Sequence, residues 1–180
     1  MIDNSNVESG SWYRQLKLSV TVLVGISLLV LSIKVFAMFG IFKKHTVQLS
    51  PEVYGQVQHN GDALAHMTIH RDISYGDVYS DSVTTDEQGR FHFEEKNIES
   101  SKPGNMFDNE GIAQAIYVIV DDKKYTLWGT LIGQVEGNDI VAAKLKDLHC
   151  DIGREEKIYD FEFKDVPGRY QTIYGVCNLD

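Results

Sequence analysis

The chain has 180 residues, with 26 acidic and 17 basic side chains and a formal net charge of −9. That length accommodates one domain with one hydrophobic core beside a targeting or membrane segment. Residues 45–180 carry 24 of the acidic and 12 of the basic side chains, a charge that repels phosphate backbones and anionic lipid and argues against nucleic-acid binding.

Residues 1–17 read as a short cytoplasmic tail. From Leu18 to Ile33 the chain is apolar without a charge, and the run continues past Lys34 to Phe42. A spanning helix needs about 20 apolar residues, so Leu18–Phe42 is predicted to be a transmembrane anchor. Trp12 and Tyr13 stand where an interfacial belt would sit, Lys43-Lys44 close the segment, and Lys34 is placed to snorkel. A cleaved signal, with Val35-Phe36-Ala37 as its small-residue site, is the rival. Asp3, Glu8 and the apolar residues beyond the site weigh against it.

Basic residues are nearly balanced across the segment and lean toward a cytoplasmic C-terminal domain. Cysteine usage points the other way. Cys150 and Cys177 are an even pair outside any CxxC spacing, the pattern of one disulfide in an exported domain. Two unpaired buried thiols are the plain alternative. The expectation is a single-pass inner-membrane protein with its C-terminal domain in the periplasm.

Lys43–Ser50 reads as a tether, and the domain is expected to run from Pro51 to Asp180. Its dominant period is two. Val53–Gln58 leads into Asn60-Gly61, a strong hairpin signal. Ala65, Met67 and Ile69 then face one way, with His66, Thr68 and His70 on the other side. Strands are expected at Asp77–Thr84, through Phe91 and Phe93, over Ile112–Val120 and Tyr125–Thr130, through Tyr159, Phe161 and Phe163, and over Tyr170–Val176. Ile140–Leu148 alone has helical spacing. Many short strands with turns between them predict an all-β sandwich.

Gly55-Gln56-Val57, Asn60-Gly61, Ala65–Ile69 and the string Thr84-Thr85-Asp86-Glu87-Gln88-Gly89-Arg90-Phe91-His92-Phe93 resemble the carboxypeptidase regulatory-like and transthyretin-like sandwich modules. In that string the threonines finish a strand, Asp86 caps the turn, Gly89 takes the strained angle, and the two phenylalanines enter the core. The resemblance covers residues 53–95 and implies a fold more than a function. The layout as a whole is similar to small membrane-tethered proteins of Gram-negative bacteria, some of which act as immunity factors against toxins delivered by neighbouring cells.

Candidate chemistry is sparse. His66 and His70 are about 13 Å apart along an extended strand, too far for one zinc with ~2.0–2.1 Å bonds, and His92 joins them only if its strand is adjacent. Asp72, Asp77, Asp81 and Asp86 lack the spacing of a calcium loop and read as turn and strand-end residues. Glu94-Glu95 and Glu155-Glu156 read as solvated pairs, and no nucleophile elbow occurs. Gly129, Gly133 and Gly137 lack the lysine of a phosphate loop. No cofactor, metal or catalytic residue is predicted.

The tyrosines are more numerous than a core needs: Tyr75, Tyr79, Tyr117, Tyr125, Tyr159, Tyr170 and Tyr174, with Trp128. Exposed tyrosine is a common element of binding surfaces, although core and sheet packing explains many of these rings. The function expected is non-enzymatic binding of a protein partner through an acidic face, in its concrete form immunity toward a basic toxin. An envelope accessory or scaffold subunit is the second reading, and an enzyme acting on cell-wall glycan is the third.

Overall fold

In the computed structural model the described residues are 14, 16–28, 44–103, 110–133 and 139–180. Residues 16–28 form a helix, α1, which belongs to a different unit from the β-rich domain that begins at Lys44. Every described side chain of α1, Leu18 included, is exposed. Thirteen residues rise about 20 Å, and among the described residues no helix is long and apolar enough to cross a membrane. The remainder of the apolar run, with Ile33 and Phe42, lies outside the described residues.

The domain comprises β1 (His45–Ser50), β2 (Val53–His59), β3 (Asp62–Ala63), β4 (Thr68–Tyr75), β5 (Asp77–Thr84), β6 (Arg90–Phe93), β7 (Lys96–Ser100), β8 (Ile112–Val120) and β9 (Lys123–Ile132). A one-and-a-half-turn helix, α2 (Asp139–Lys144), precedes β10 (Leu148–Asp151), β11 (Lys157–Glu162), β12 (Tyr170–Gly175) and β13 (Cys177–Asn178). Six strands form an antiparallel sheet in the order β11-β12-β9-β8-β4-β5. A second sheet has the order β13-β10-β2-β3, with β6 also on β2, and its β10–β2 pairing is parallel. The architecture is all-β and sandwich-like.

Alternation builds the core. Val53, Val57, Phe91, Phe93, Leu148 and Cys150 from the smaller sheet and Ile69, Ile73, Ile116, Val118 and Ile173 from the larger one are buried together. Each such side chain contributes about 1.5–3 kcal/mol by leaving water. A bulge in β9 skips Leu127 between Ile116 and Tyr117, so Leu127 and Trp128 are both buried in sequence. The Trp128 Nε1 has no hydrogen-bond partner among the described residues.

The turns follow their residues. Asn60-Gly61 joins β2 to β3, and Asn60 adopts φ 53. Asp121-Asp122 turns β8 into β9 with both residues left-handed. Gly89 has φ +75, and a Cβ there would stand 2.3 Å from the Val57 carbonyl oxygen, so the turn requires glycine.

β1 and β7 carry the β2–β6 pairing onward through a break. Ser50 opposes Lys96 and Val53 opposes Phe93, three residues further along both strands. Pro51 has no N–H to donate, so the ladder is interrupted there. Two buried side chains of the larger sheet satisfy the groups this releases. Gln114 Nε2 donates to the Leu49 carbonyl (2.6 Å), and Arg71 Nη1 donates to the Glu94 carbonyl (3.0 Å) and to Ser50 Oγ (3.2 Å). Arg71 also grips Asp81 through two bonds of 2.9 and 2.7 Å, and Lys96 Nζ reaches the same carboxylate at 2.9 Å.

Three expectations are corrected. Residues 45–50 are a strand with Val47 and Leu49 fully buried, not a tether, so the sandwich starts before Pro51. The helix expected over Ile140–Leu148 ends at Lys144, because Leu148 enters β10 to pair with Gly55. The strand expected from Ala65 starts only at Thr68, since His66 sits at φ 57.

Candidate functional site

The histidines do not converge. His66 precedes β4, and His70 lies on β4 stacked on Tyr117 with ring centres 5.1 Å apart. His92 lies on the other sheet, stacked on Tyr54 at 4.3 Å and 3.4 Å from Glu52. Among the described residues no group of three or more His, Cys, Asp or Glu is arranged to hold a metal ion.

The aspartates have local duties. Asp72 accepts the Ser80 hydroxyl at 2.7 Å, and Asp77 opens the edge strand β5. Asp86 accepts the N–H groups of Gln88 and Arg90 at 2.9 Å each, as a turn cap does. Those bonds, led by the one from Arg90, hold its carboxyl below the usual carboxylate range. Burial pushes the Asp81 carboxyl up, but the bonds and charges of Arg71 and Lys96 outweigh it and its pKa is lowered. Gly133 ends the stretch after β9, Gly137 lies outside the described residues, and Glu94, Glu95, Glu155 and Glu156 are exposed.

Two surfaces of the sandwich have the makings of a site. The first is the outer face of the smaller sheet. Side chains opposite one another across strands share a face, so the registers set Asn178, His149, Gln56 and Arg90 in one row and Tyr54 and His92 in the next. A cleft of about 290 Å³ opens there, lined by Gln56, Gln58, His149, Asp151, Arg154 and Asn178, with Cys150 of the Cys150–Cys177 disulfide beneath. Asp151 is its fixed point. It accepts the N–H groups of Asn60 and Gly153, both at 2.9 Å, and tethers two turns to one carboxylate. Burial raises its pKa, but those bonds and the nearby Arg154 charge hold it below its ordinary value.

The second is the outer face of the larger sheet. One row crosses it as Ile158, Tyr174, Gly129, Ala115, Asp72 and Ser80, and another as Leu131, Ala113, Ser74 and Val78. Small residues make a shallow floor from which larger ones stand out: Ile158 is 74% exposed, Val78 70%, Leu131 65% and Tyr174 43%. The Tyr174 ring lies over Gly129, where a Cβ would come within 2.3 Å of it. Asp160 and Glu162 on β11 stand opposite Thr172 and Tyr170 and add charge at the margin.

Of the tyrosines singled out by count, Tyr75 is buried and Tyr79, Tyr117, Tyr125 and Tyr159 are half-buried. Only Tyr170 and Tyr174 among them are open, and Trp128 is in the core. No local spacing in the sequence unites the polar cleft, whose residues come from β2, β10, β13 and the turn after β10.

A family model described as a domain of unknown function (DUF6795) matches residues 53–155. The chain belongs to that family. No curated protein matches it, and no solved structure does. The matched stretch of the family runs from β2 through β10 and reaches Arg154, so it takes in the cleft except for Asn178. Cys177, Ile158 and Tyr174 lie beyond it.

Proposed function

We propose that this chain is a single-pass membrane protein whose β-sandwich stands on the periplasmic side of the inner membrane and binds a protein partner without performing a reaction. The observation that carries the reading is the exposed set of Ile158, Leu131, Val78, Tyr170 and Tyr174 on the outer face of the larger sheet. Exposed apolar and tyrosine side chains standing at intervals across a floor of small residues, Ile158, Tyr170 and Tyr174 toward one edge and Val78 at the other, are the composition of a binding surface. The carboxylates at its margin, together with the acidic balance of residues 45–180, favour a basic partner. Immunity toward an imported basic toxin is the concrete form of this role. Tight neutralisation of a toxin needs a few desolvated aromatic anchors, and Tyr170 and Tyr174 supply that chemistry.

Two observations support the placement. The described helix α1 carries no charge from Leu18 to Leu28, as a helix surrounded by lipid requires. The Cys150–Cys177 disulfide suits an oxidising compartment. A fusion of alkaline phosphatase to the C-terminus is expected to be active, and a cytoplasm-only fluorophore at the same place dark. Capture from envelope and toxin-bearing lysates with the full chain, beside a Tyr174→Ala, Ile158→Ala variant, tests the binding role. The expected result is a basic protein retained by the first and lost by the second. Identical captures by both would remove the reading.

A further inference from the structure

We propose that the polar cleft on the outer face of the smaller sheet binds an uncharged polyhydroxylated ligand, a short stretch of glycan. The site is distinct from the partner surface above, since it lies on the other sheet.

Asp151 is committed to the Asn60 and Gly153 N–H groups and to Gln58 Nε2 at 3.4 Å, and Arg154 Nε stands 3.9 Å from its other face. His149 Nε2 lies 3.2 Å from the Asp147 carboxylate. Asp151 is thus satisfied chiefly by uncharged N–H donors, with the exposed Arg154 guanidinium at the edge of its reach and the exposed His149 ring beside Asp147. An anionic ligand would bring its charge against the Asp151 carboxylate and a cationic one against Arg154, whereas an uncharged ligand meets no like charge in the cleft.

The cleft offers neutral hydrogen-bonding capacity instead. Gln56 spends its Nε2 on the Gln88 carbonyl at 2.7 Å, which turns its Oε1 into an acceptor for something else. Asn178 presents a whole primary amide from the last strand, and Gln58 retains a second N–H. Amides both donate and accept, and the two hydroxyls of adjacent sugar carbons do the same, so each pair is satisfied without charge. Arg154 adds a planar fork of donors at the rim.

Shape and neighbours agree. The volume of about 290 Å³ is close to the lower bound of small-ligand sites, roughly 300 Å³. Arg154 also lines a second, larger groove of about 630 Å³ that runs past Tyr125, Lys123 and Glu155. The two hollows therefore share a wall, and an extended chain can follow them where a compact metabolite would fill only one. Two residues before Gln56 on the same face, the Tyr54 ring is 44% exposed and is fixed by its stack on His92. A ring held in place offers the apolar C–H face of a sugar a surface at little entropic cost.

Cys177 holds the Asn178 strand. β13 meets β10 through only two residue pairs, and the disulfide joins one of them. Reduction should therefore loosen Asn178 and weaken the site while Gln56 and Gln58 stay in β2.

The test is a titration of the full chain, ¹⁵N-labelled and held in a phosphocholine detergent because maltoside detergents are themselves glycans. Chitotetraose, which carries acetamido groups, and cellotetraose, which carries hydroxyls alone, are the probes, and inorganic phosphate is the charged control. The side-chain NH₂ signals of Gln56, Gln58 and Asn178 are expected to shift and saturate with one or both tetrasaccharides, and to stay put with phosphate. Which tetrasaccharide acts names the glycan class. Gln58→Ala and Asn178→Ala should each weaken that binding by up to about tenfold, and Tyr174→Ala should leave it unchanged. No shift with either sugar at about 10 mM, a shift with phosphate alone, or affinity untouched by both cleft variants would overturn the proposal.

Discussion

The two outer faces of the sandwich share one core and diverge completely in chemistry. On the smaller sheet, Gln56, Gln58, His149, Asp151 and Asn178 make a polar hollow rich in amide donors and acceptors. On the larger one, Ala113, Ala115 and Gly129 make a floor from which Ile158, Leu131, Val78 and Tyr174 project. The lesson lies in the period of two. Inward positions answer to packing, so both sheets turn apolar side chains inward, valine, leucine and phenylalanine from the smaller and chiefly isoleucine from the larger, whereas outward positions are free to specialise. The family match sharpens the contrast: it covers nearly all of the polar hollow and stops short of β11 and β12, which complete the apolar face.

Changes to what both faces share should damage both. Replacing Cys150 and Cys177 with serine removes a cross-link over a separation of 27 residues, worth about 3.5 kcal/mol in the chain-entropy account. The urea midpoint of the double variant is expected to fall accordingly. Arg71→Ala comes next. It strands the Glu94 carbonyl and leaves a partly buried Asp81 with only Lys96, and because Asp81 retains some solvent the expected loss is about 3 kcal/mol.

Changes confined to one face should separate the two. Gly129→Val drives a side chain into the Tyr174 ring, so it should abolish partner capture and leave the Gln58 and Asn178 amide signals in place. Acid acts on the frame under both faces. The carboxyls of Asp81, Asp86 and Asp151 are all held below their unfolded values. Their stabilisation is therefore complete above the ordinary carboxylate pKa of about 3.9 and is lost as pH falls through the lower folded values. Chemical denaturation should give a flat stability above about pH 5 and a decline below about pH 4, shallower in Asp81→Asn. The smallest effect is expected from Trp128→Phe. The substitution forfeits some packing but removes an indole N–H that has no acceptor, so the net change should stay within about 2 kcal/mol by thermal melting.

Much of this frame was readable because it is local. Phe91 and Phe93, Ile112–Val120, Asn60-Gly61 and Asp86 each announce themselves within a few residues, and each sits where its pattern places it. The failures are non-local. His45–Ser50 looks like a tether until β7 is there to pair with it, and Leu148 belongs to a helical pattern until β2 takes it in parallel. Arg71 carried a signal that went unused. It continues the inward phase of Ile69 and Ile73, and a charge in such a phase marks a buried pair whose partner, Asp81, lies on the adjoining strand. The cleft carried none, since Gln56, His149 and Asn178 meet only through tertiary pairing.

The proposed meeting of the larger sheet's apolar face with a protein in the periplasm is tested most directly by a photo-crosslinking amino acid placed at Tyr174 in the full chain, compared in living cells with one placed at Gln58. A discrete protein adduct at position 174, absent at position 58 and formed by periplasm-facing protein, is the expected result. Equal adducts at both positions, or none at 174 in cells that contain the partner captured in vitro, would contradict it.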